Sequence, residues 1–319
     1  MKATLIYNTN AGGKTKYTPE MLQNALKEAG YRPVYRATSS EDDLAAILRD
    51  DLEGLIVAAG GDGTVRAVAT RLLDREGVAL AILPMGTANN LCRSLGIEGS
   101  ILEIIEGLSH PRKFMYDVGY VQAPWGEDYF LEGAGFGFFA DVLATYDPEQ
   151  GKSIFRGVMT LAETLSKHEA YAPLMRVDDE MIIGNFLLVE VLNTKAVGPR
   201  LQFAPQADPG DGFFEVVRVY ERYQEGFFAY MRHMLTENLE ALSSYEVSQA
   251  CQLEIEWTGF RFHVDGEVRP SANKRPSDYA PASGVRPSLR GASESTIRIE
   301  VLPQALEIWL PQAEAKEGT

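Results

Sequence analysis

Apolar and polar positions along roughly the first 110 residues fall into short blocks of two kinds. Gly54-Leu55-Ile56-Val57-Ala58-Ala59 and Val78 to Leu83 are unbroken apolar runs, the pattern of a strand buried on both faces of a parallel sheet. Thr4 to Tyr7 is a shorter run that ends in the turn Asn8-Thr9-Asn10-Ala11-Gly12-Gly13, and Pro33 to Ala37 reads as a weaker strand. Between these blocks apolar residues recur at helical spacing. Met21, Leu22, Ala25 and Leu26 follow Pro19 and are stopped by Gly30; Leu44, Ile47 and Leu48 follow the capping run Ser39-Ser40-Glu41-Asp42-Asp43; a third helix is expected over Val65 to Leu73. Repeated strand–helix units of this length predict a doubly wound α/β domain.

The pattern changes after about Tyr116. Tyr129-Phe130-Leu131, Gly184 to Leu192, Phe213 to Tyr220, Leu253 to Trp257 and Arg261 to Asp265 are strand-like runs with turn residues between them. A helix-like stretch covers Phe138 to His168, and Thr296 to Val301 and Leu306 to Leu310 offer two closing strands. This half reads as a second, mainly β domain.

The length of 319 residues agrees with two domains, and the 45 % hydrophobic and 24 % charged content is that of a globular chain. Cys92 and Cys251 are too few for a disulfide scaffold or a cysteine zinc site and suit a reducing cytosol. No apolar run approaches a membrane span, and the start Met1-Lys2-Ala3-Thr4 turns polar too quickly for a signal peptide. The net charge of −15 argues against nucleic acid, which demands surplus Lys and Arg. It argues less strongly against a membrane surface. From Arg269 to Gly291, a Pro/Ser/Ala-rich stretch, five basic residues stand against Asp278, a local charge of +4 in a long loop that reads equally as a dock for anionic lipid and as a solvated linker.

Four stretches carry candidate chemistry. Ala59-Gly60-Gly61-Asp62-Gly63-Thr64 follows a buried strand and opens a helix, where α/β folds bind phosphate. A carboxylate among such glycines suits a bridging Mg²⁺, and a capped tight turn is the plainer alternative. Leu83-Pro84-Met85-Gly86-Thr87-Ala88-Asn89-Asn90 stands in the same place one strand later. It too could be an ordinary helix start, but two such turns on neighbouring strand ends form a crevice. In Phe262-His263-Val264-Asp265-Gly266-Glu267, alternation puts Phe262 and Val264 on one face and Arg261, His263 and Asp265 on the other. Gly266 turns the chain so that Glu267 projects, as a general base toward a hydroxyl or simply as part of a polar hairpin. Asp208 and Asp211, in Ala207-Asp208-Pro209-Gly210-Asp211-Gly212-Phe213, could share a divalent cation with backbone carbonyls or form an Asp-Gly turn.

Other chemistries fail on spacing. Gly13-Lys14-Thr15 is no P-loop, because Asn8 stands where that motif needs glycine. The first strand–helix turn has no G-x-G-x-x-G, no G-x-S-x-G elbow occurs, and His110, His168, His233 and His263 lack metal-ligand spacing.

In this order, Gly60 to Thr64, Pro84 to Asn89, Asp211-Gly212 and Val264-Asp265-Gly266-Glu267 resemble the diacylglycerol kinase catalytic-domain family. These are bacterial soluble lipid kinases with sphingosine and ceramide kinases as relatives and NAD kinases further off. The resemblance covers nearly the whole chain. It implies a doubly wound nucleotide-binding domain (1–120 and 305–319) and a sandwich-like β domain (121–304), with an ATP cleft between them. It implies ATP contacts at Asn8, Thr9, Asn10, Ala11, Gly12, Thr38, Gly61, Asp62, Gly63, Thr64, Val65, Arg66, Ala67 and Thr87. Glu267 becomes the proton acceptor, Asp62 and Asp117 acidic residues of the catalytic centre, and Asp208, Asp211 and the Phe213 carbonyl the holders of Mg²⁺. Four positions depart from the family pattern: Arg66-Ala67 in place of Asn-Glu, Thr9 in place of Pro, and Glu132 in place of Asn.

The expected activity is therefore Mg²⁺-dependent transfer of the ATP γ-phosphoryl group to a lipid hydroxyl, by a cytoplasmic protein in peripheral contact with the membrane. Diacylglycerol, phosphatidylglycerol and a sphingoid base all suit as acceptor, and relatives can form homodimers. An NAD kinase-like enzyme with a soluble acceptor and a non-catalytic nucleotide-binding regulator are the alternatives.

Overall fold

The computed structural model describes residues 1–9, 16–48, 52–73, 75–145, 170–197, 201–221, 233, 241–270 and 295–312. In it the blocks of the first hundred residues become β1 (Lys2–Asn8), α1 (Pro19–Glu28), β2 (Arg32–Thr38), α2 (Glu41–Ile47), β3 (Gly54–Gly60), α3 (Asp62–Ala69), β4 (Val78–Pro84), α4 (Asn90–Ser94) and α5 (Ile101–Gly107). The strands pair in parallel in the order β2-β1-β3-β4. Leu55 to Ala59 are fully buried, as a strand covered on both faces requires. Helix starts follow the capping residues. The Thr18 hydroxyl accepts from the Met21 amide with Pro19 at the first helical position, Ser40 accepts from Asp43, and Ser100 with Glu103 forms a reciprocal capping box on α5. Gly30, at φ +87°, takes the left-handed conformation just beyond the end of α1.

The remaining elements are β5 (Arg112–Ala123), β6 (Gly126–Phe130), β7 (Gly133–Gly137), α6 (Phe138–Thr145), β8 (Met175–Val177), β9 (Glu180–Ile182), β10 (Phe186–Leu192), β11 (Ala196–Val197), β12 (Leu201–Gln202), β13 (Phe214–Tyr220), β14 (Tyr245–Ala250), β15 (Gln252–Glu256), β16 (Phe262–Val264), β17 (Glu267–Arg269) and β18 (Thr296–Leu310). The chain divides into two compact units. One holds Met1–Tyr116 and the segment from Gln304, and the other holds the described residues from Asp117 to Pro303.

In the second unit β14-β13-β10-β7-β16-β17 form a six-stranded antiparallel sheet. The first half of β18 pairs antiparallel with β15, which pairs with β8 and β8 with β9. Phe136, Val189, Val191, Phe214, Val216 and Phe262 from the six-stranded sheet share one apolar core with Met175, Leu253, Ile255, Ile297 and Ile299. This is a sandwich built on period-two alternation. On the outer face of the six-stranded sheet Phe138, Phe139 and Val142 of α6 pack with Leu188, Leu192, Val217 and Val219.

Two readings change, and a third lies partly outside the described residues. The two closing strands are one 15-residue strand, bent where Gln304 takes φ +54°, so that its last part joins the first unit parallel to β4 at Ile308 and Leu80. The helix expected over Phe138 to His168 is described only to Thr145, and residues 146–169 lie outside the described residues. The strand bearing His263 has no polar face, because α6 covers the side opposite Phe262 and leaves His263 with no exposed surface. The basic stretch is described only at Arg269 and Pro270.

Phe214 is fully buried, with its ring 5.2 Å from that of Phe130. Phe214→Ala should lower the unfolding free energy by about 3–5 kcal/mol in a urea titration; a loss under about 1 kcal/mol would contradict the sandwich core.

Candidate functional site

In the first unit the turns leave one edge of the sheet. Register pairs Asn8 with Thr38 and Gly60 with Pro84, so the carboxyl ends of β1, β2, β3 and β4 line up. Asn8 Nδ2 donates to the Thr64 hydroxyl at 2.7 Å, and the Thr9 amide donates to the Thr38 carbonyl at 3.0 Å. Asn8, Thr9, Thr38 and Thr64 to Ala67 thus stand along the edge where α/β sheets bind ligands.

The two glycine turns touch through their backbones. A Cβ built on Gly86 would lie 2.6 Å from the Gly61 Cα, and the Met85 amide donates to the Gly60 carbonyl at 2.9 Å. Asn89, itself left-handed at φ +50°, closes its turn by accepting from the Gly86 amide and donating to the Gly86 carbonyl. The Asp62 carboxyl faces the amides of Asn89, Asn90 and Leu91, which open α4. Its pKa is raised by burial, with those amides pulling it down less strongly. Asp62 therefore ties the first motif to the second. Gly63 and Thr87 lie exposed on the turns. Asn10, Ala11 and Gly12 lie outside the described residues.

In the second unit the acidic turn hangs on Asp117. That residue is fully buried; its Oδ2 accepts from the Gly212 amide at 2.7 Å, and its own amide donates to the Pro209 carbonyl at 2.8 Å. Asp208 Oδ1 accepts from the Gly210 amide and Asp211 Oδ1 from the Phe213 amide. Among the described residues no three His, Cys, Asp or Glu side chains stand close enough to hold a metal. The donors present are two carboxylates and a carbonyl, all oxygen, which is the chemistry Mg²⁺ takes when water completes its shell.

The hairpin that carries Glu267 has a two-residue loop, Asp265 at φ +47° and Gly266 at φ +77°. This is the Asp-Gly turn that matches strand twist. Its anchor is Asp265, whose carboxylate accepts from the amides of Leu131 (2.9 Å), Glu132 (2.8 Å) and Gly133 (3.1 Å). Glu267 projects beyond with its side chain 49 % exposed, and Arg269 Nη2 holds its Oε2 at 2.8 Å. Arg269 is buried and also binds Asp128 at 2.8 Å.

Sequence reasoning missed Asn193. Its Nδ2 donates to the carbonyls of Asp117 (2.8 Å) and Leu131 (3.1 Å), so one side chain joins the acidic turn's clamp to the segment that Asp265 grips. A lone asparagine ending the apolar run of β10 was the available signal. Arg269, read only as the start of a basic stretch, is the partner of Glu267. The Glu132 main chain serves this network through its amide and carbonyl, a role any side chain permits.

Comparison with known proteins agrees with the fold, an α/β domain followed by a β sandwich-like domain. The diacylglycerol kinase catalytic domain matches residues 2–121, and the C-terminal NAD kinase beta sandwich-like domain of YegS matches residues 151–310. The chain is 30 % identical over 234 residues to a diacylglycerol kinase of Bacillus subtilis, covering 68 % of this chain and 73 % of that one. It is 27 % identical over 315 residues to a probable lipid kinase YegS-like protein of Klebsiella pneumoniae, covering 94 % of each. Its fold is similar to a crystal structure of a diacylglycerol kinase from Bacillus anthracis, with TM-score 0.67 at 18 % identity over 98 % of this chain and 97 % of that one.

Two outcomes follow from the first unit. Gly86→Ala must push the glycine turns apart, so ATP-analogue affinity measured by calorimetry should fall at least about tenfold with an unchanged far-ultraviolet spectrum; wild-type affinity would detach these turns from nucleotide binding. Because the Asp62 pKa is raised on folding, its contribution to stability is present below the ordinary Asp range and is lost as pH rises through the raised value. The melting temperature of the wild type relative to Asp62→Asn should accordingly decline upward from about pH 4; a rise over the same range would contradict the assignment.

Proposed function

The chain belongs to the diacylglycerol kinase family of lipid kinases, and on that footing we propose that it transfers the γ-phosphoryl group of ATP to a lipid hydroxyl with Glu267 as proton acceptor. The observation that carries this reading is the presentation of Glu267. A half-exposed carboxylate stands at the end of a rigid turn, with one oxygen held by a buried arginine. Phosphoryl transfer asks a protein mainly for positioning and charge neutralisation, so a fixed base and a fixed anion cradle suffice.

In this reading the carboxylate of Glu267 takes the proton of the lipid hydroxyl while its oxygen bonds to the γ-phosphorus. The bond from that phosphorus to the β–γ bridging oxygen breaks, and ADP leaves. Asn8, Thr9, Thr38, the turn from Gly61 to Ala67 and Thr87 bind and orient the nucleotide. Asp62 braces the two glycine turns against each other, and Asp117 braces the acidic turn. Asp208, Asp211 and the Phe213 carbonyl would hold Mg²⁺, which supplies positive charge to the site when bound.

Among the described residues no helix is long and apolar enough to cross a membrane, and we place the enzyme in the cytoplasm with peripheral access to its lipid. Lys274, Arg275, Arg286 and Arg290 would supply attraction to an anionic surface, at about 1 kcal/mol each when close to it, whereas Arg269 is buried and bound to Asp128 and Glu267.

Glu267→Gln should lower kcat on detergent-dispersed lipid about 10²–10⁴-fold while ATP affinity stays unchanged. Near-full activity would remove Glu267 from the chemistry.

A further inference from the structure

Beside the hairpin of Glu267 lies a pair of ionisable groups that the transfer chemistry does not use. Glu190 on β10 and His263 on β16 have no exposed surface, and His263 Nε2 lies 2.8 Å from Glu190 Oε2. Their strands are not neighbours. β7 runs between them, and register sets Gly135 opposite both residues. Adjacent strands lie about 4.8 Å apart, so side chains two strands apart meet only by reaching across the residue in the middle. Gly135 leaves that passage open, since a Cβ there would lie 2.6 Å from Glu190 Oε2 and 2.3 Å from the Val189 carbonyl oxygen. The ring of Phe139 closes the same face, edge-on to the imidazole at 4.9 Å.

Such a pair is a poor device for stability, because desolvating the groups offsets what their attraction returns. Burial pushes the Glu190 carboxyl up, and the hydrogen bond from His263 works against that shift. Glu190 Oε1 has no partner among the described residues, so the carboxylate is committed to the histidine. The other ring nitrogen points to a purpose: Nδ1 accepts from the Gly266 amide at 3.4 Å, immediately before Glu267. A nitrogen that accepts carries no proton, so Nε2 carries it and donates to Glu190.

We propose that Glu190 and His263 are positioning residues for the transfer step: the carboxylate fixes the imidazole tautomer, the imidazole holds the Gly266 amide, and that amide fixes the Asp265–Gly266 peptide of the turn, one residue before Glu267. This inference rests on Glu267 being the proton acceptor. It assigns Gly135 a specific part as well, that of keeping the path between the two side chains clear.

The wild-type protein supplies the first test. Long-range ¹H–¹⁵N spectra should show His263 protonated at Nε2 and not at Nδ1 at the pH of the assay; the opposite tautomer or a doubly protonated ring would overturn the proposal. Kinetics supply the second. His263→Phe keeps the ring against Phe139 and removes both nitrogens, so kcat should fall roughly 10- to 100-fold with the KM values for ATP and lipid within about twofold of wild type. His263→Asn, whose side-chain oxygen can still accept from Gly266, should recover most of the loss, and it serves as the informative variant should His263→Phe not fold. In a Glu267→Gln background His263→Phe should cost nothing more. A further loss of equal size there would overturn this inference alone, whereas full activity of Glu267→Gln by itself would overturn the reading beneath it.

Discussion

Three backbone amides converge on the carboxylate of Asp265, and the arrangement of the second unit's site depends on that convergence. Each is a charge-assisted hydrogen bond of the kind worth about 1.5–3 kcal/mol. Together they fasten a two-residue turn to the start of β7. Asp265 could not serve in this way from ordinary strand geometry; it adopts φ +47° because the Asp-Gly loop of the hairpin demands it. The same conformation that aims its side chain backward at residues 131–133 sends the chain forward to Glu267. Asn193 then carries the constraint to Asp117, and Asp117 to the turn at Gly212. One hydrogen-bonded path thus runs from the acidic turn to the projecting carboxylate.

The first unit solves a different problem with the same economy. Its two glycine turns must approach within backbone contact, which excludes a Cβ at Gly86, and they must stay there without a covalent link. The Asp62 carboxyl supplies the link by facing the amides that open α4. The carboxylate that the motif suggests for metal chemistry thus also stands against the amides of the neighbouring turn.

What the sequence displayed and what it concealed divide along physical lines. Strands β1, β3 and β4 were legible because burial on both faces leaves unbroken apolar runs, and α1 and α2 because their caps and apolar spacing are local signals. The hairpin at Asp265-Gly266 was equally local. β7 was not readable: Gly133-Ala134-Gly135-Phe136-Gly137 has the composition of a loop, and its glycines are explained only by β10 lying close over them, with Leu192 at Gly133, the Val189 carbonyl and Glu190 at Gly135, and the Leu187 carbonyl at Gly137. His263 looked like one member of a polar face because alternation cannot say that a helix covers that face. Asn193 acts across 62 positions of chain and Arg269 reaches Asp128 across 141, separations no spacing rule addresses, while the bond of Arg269 to Glu267 two residues away follows strand alternation. The bend at Gln304, which sends one strand into both units, follows Pro303, and in the sequence that interruption looks like a gap between two strands.

The proposed chemistry has a half-exposed carboxylate on an anchored hairpin activate a lipid hydroxyl toward ATP. The direct measurement is to incubate the purified protein and Mg²⁺ with γ-labelled ATP in the presence of a total lipid extract and of NAD, then to separate and identify the labelled product by mass spectrometry. Label on a lipid hydroxyl is the result predicted. Label on NAD, or ATP-dependent stabilisation of the protein with no labelled product, would contradict it.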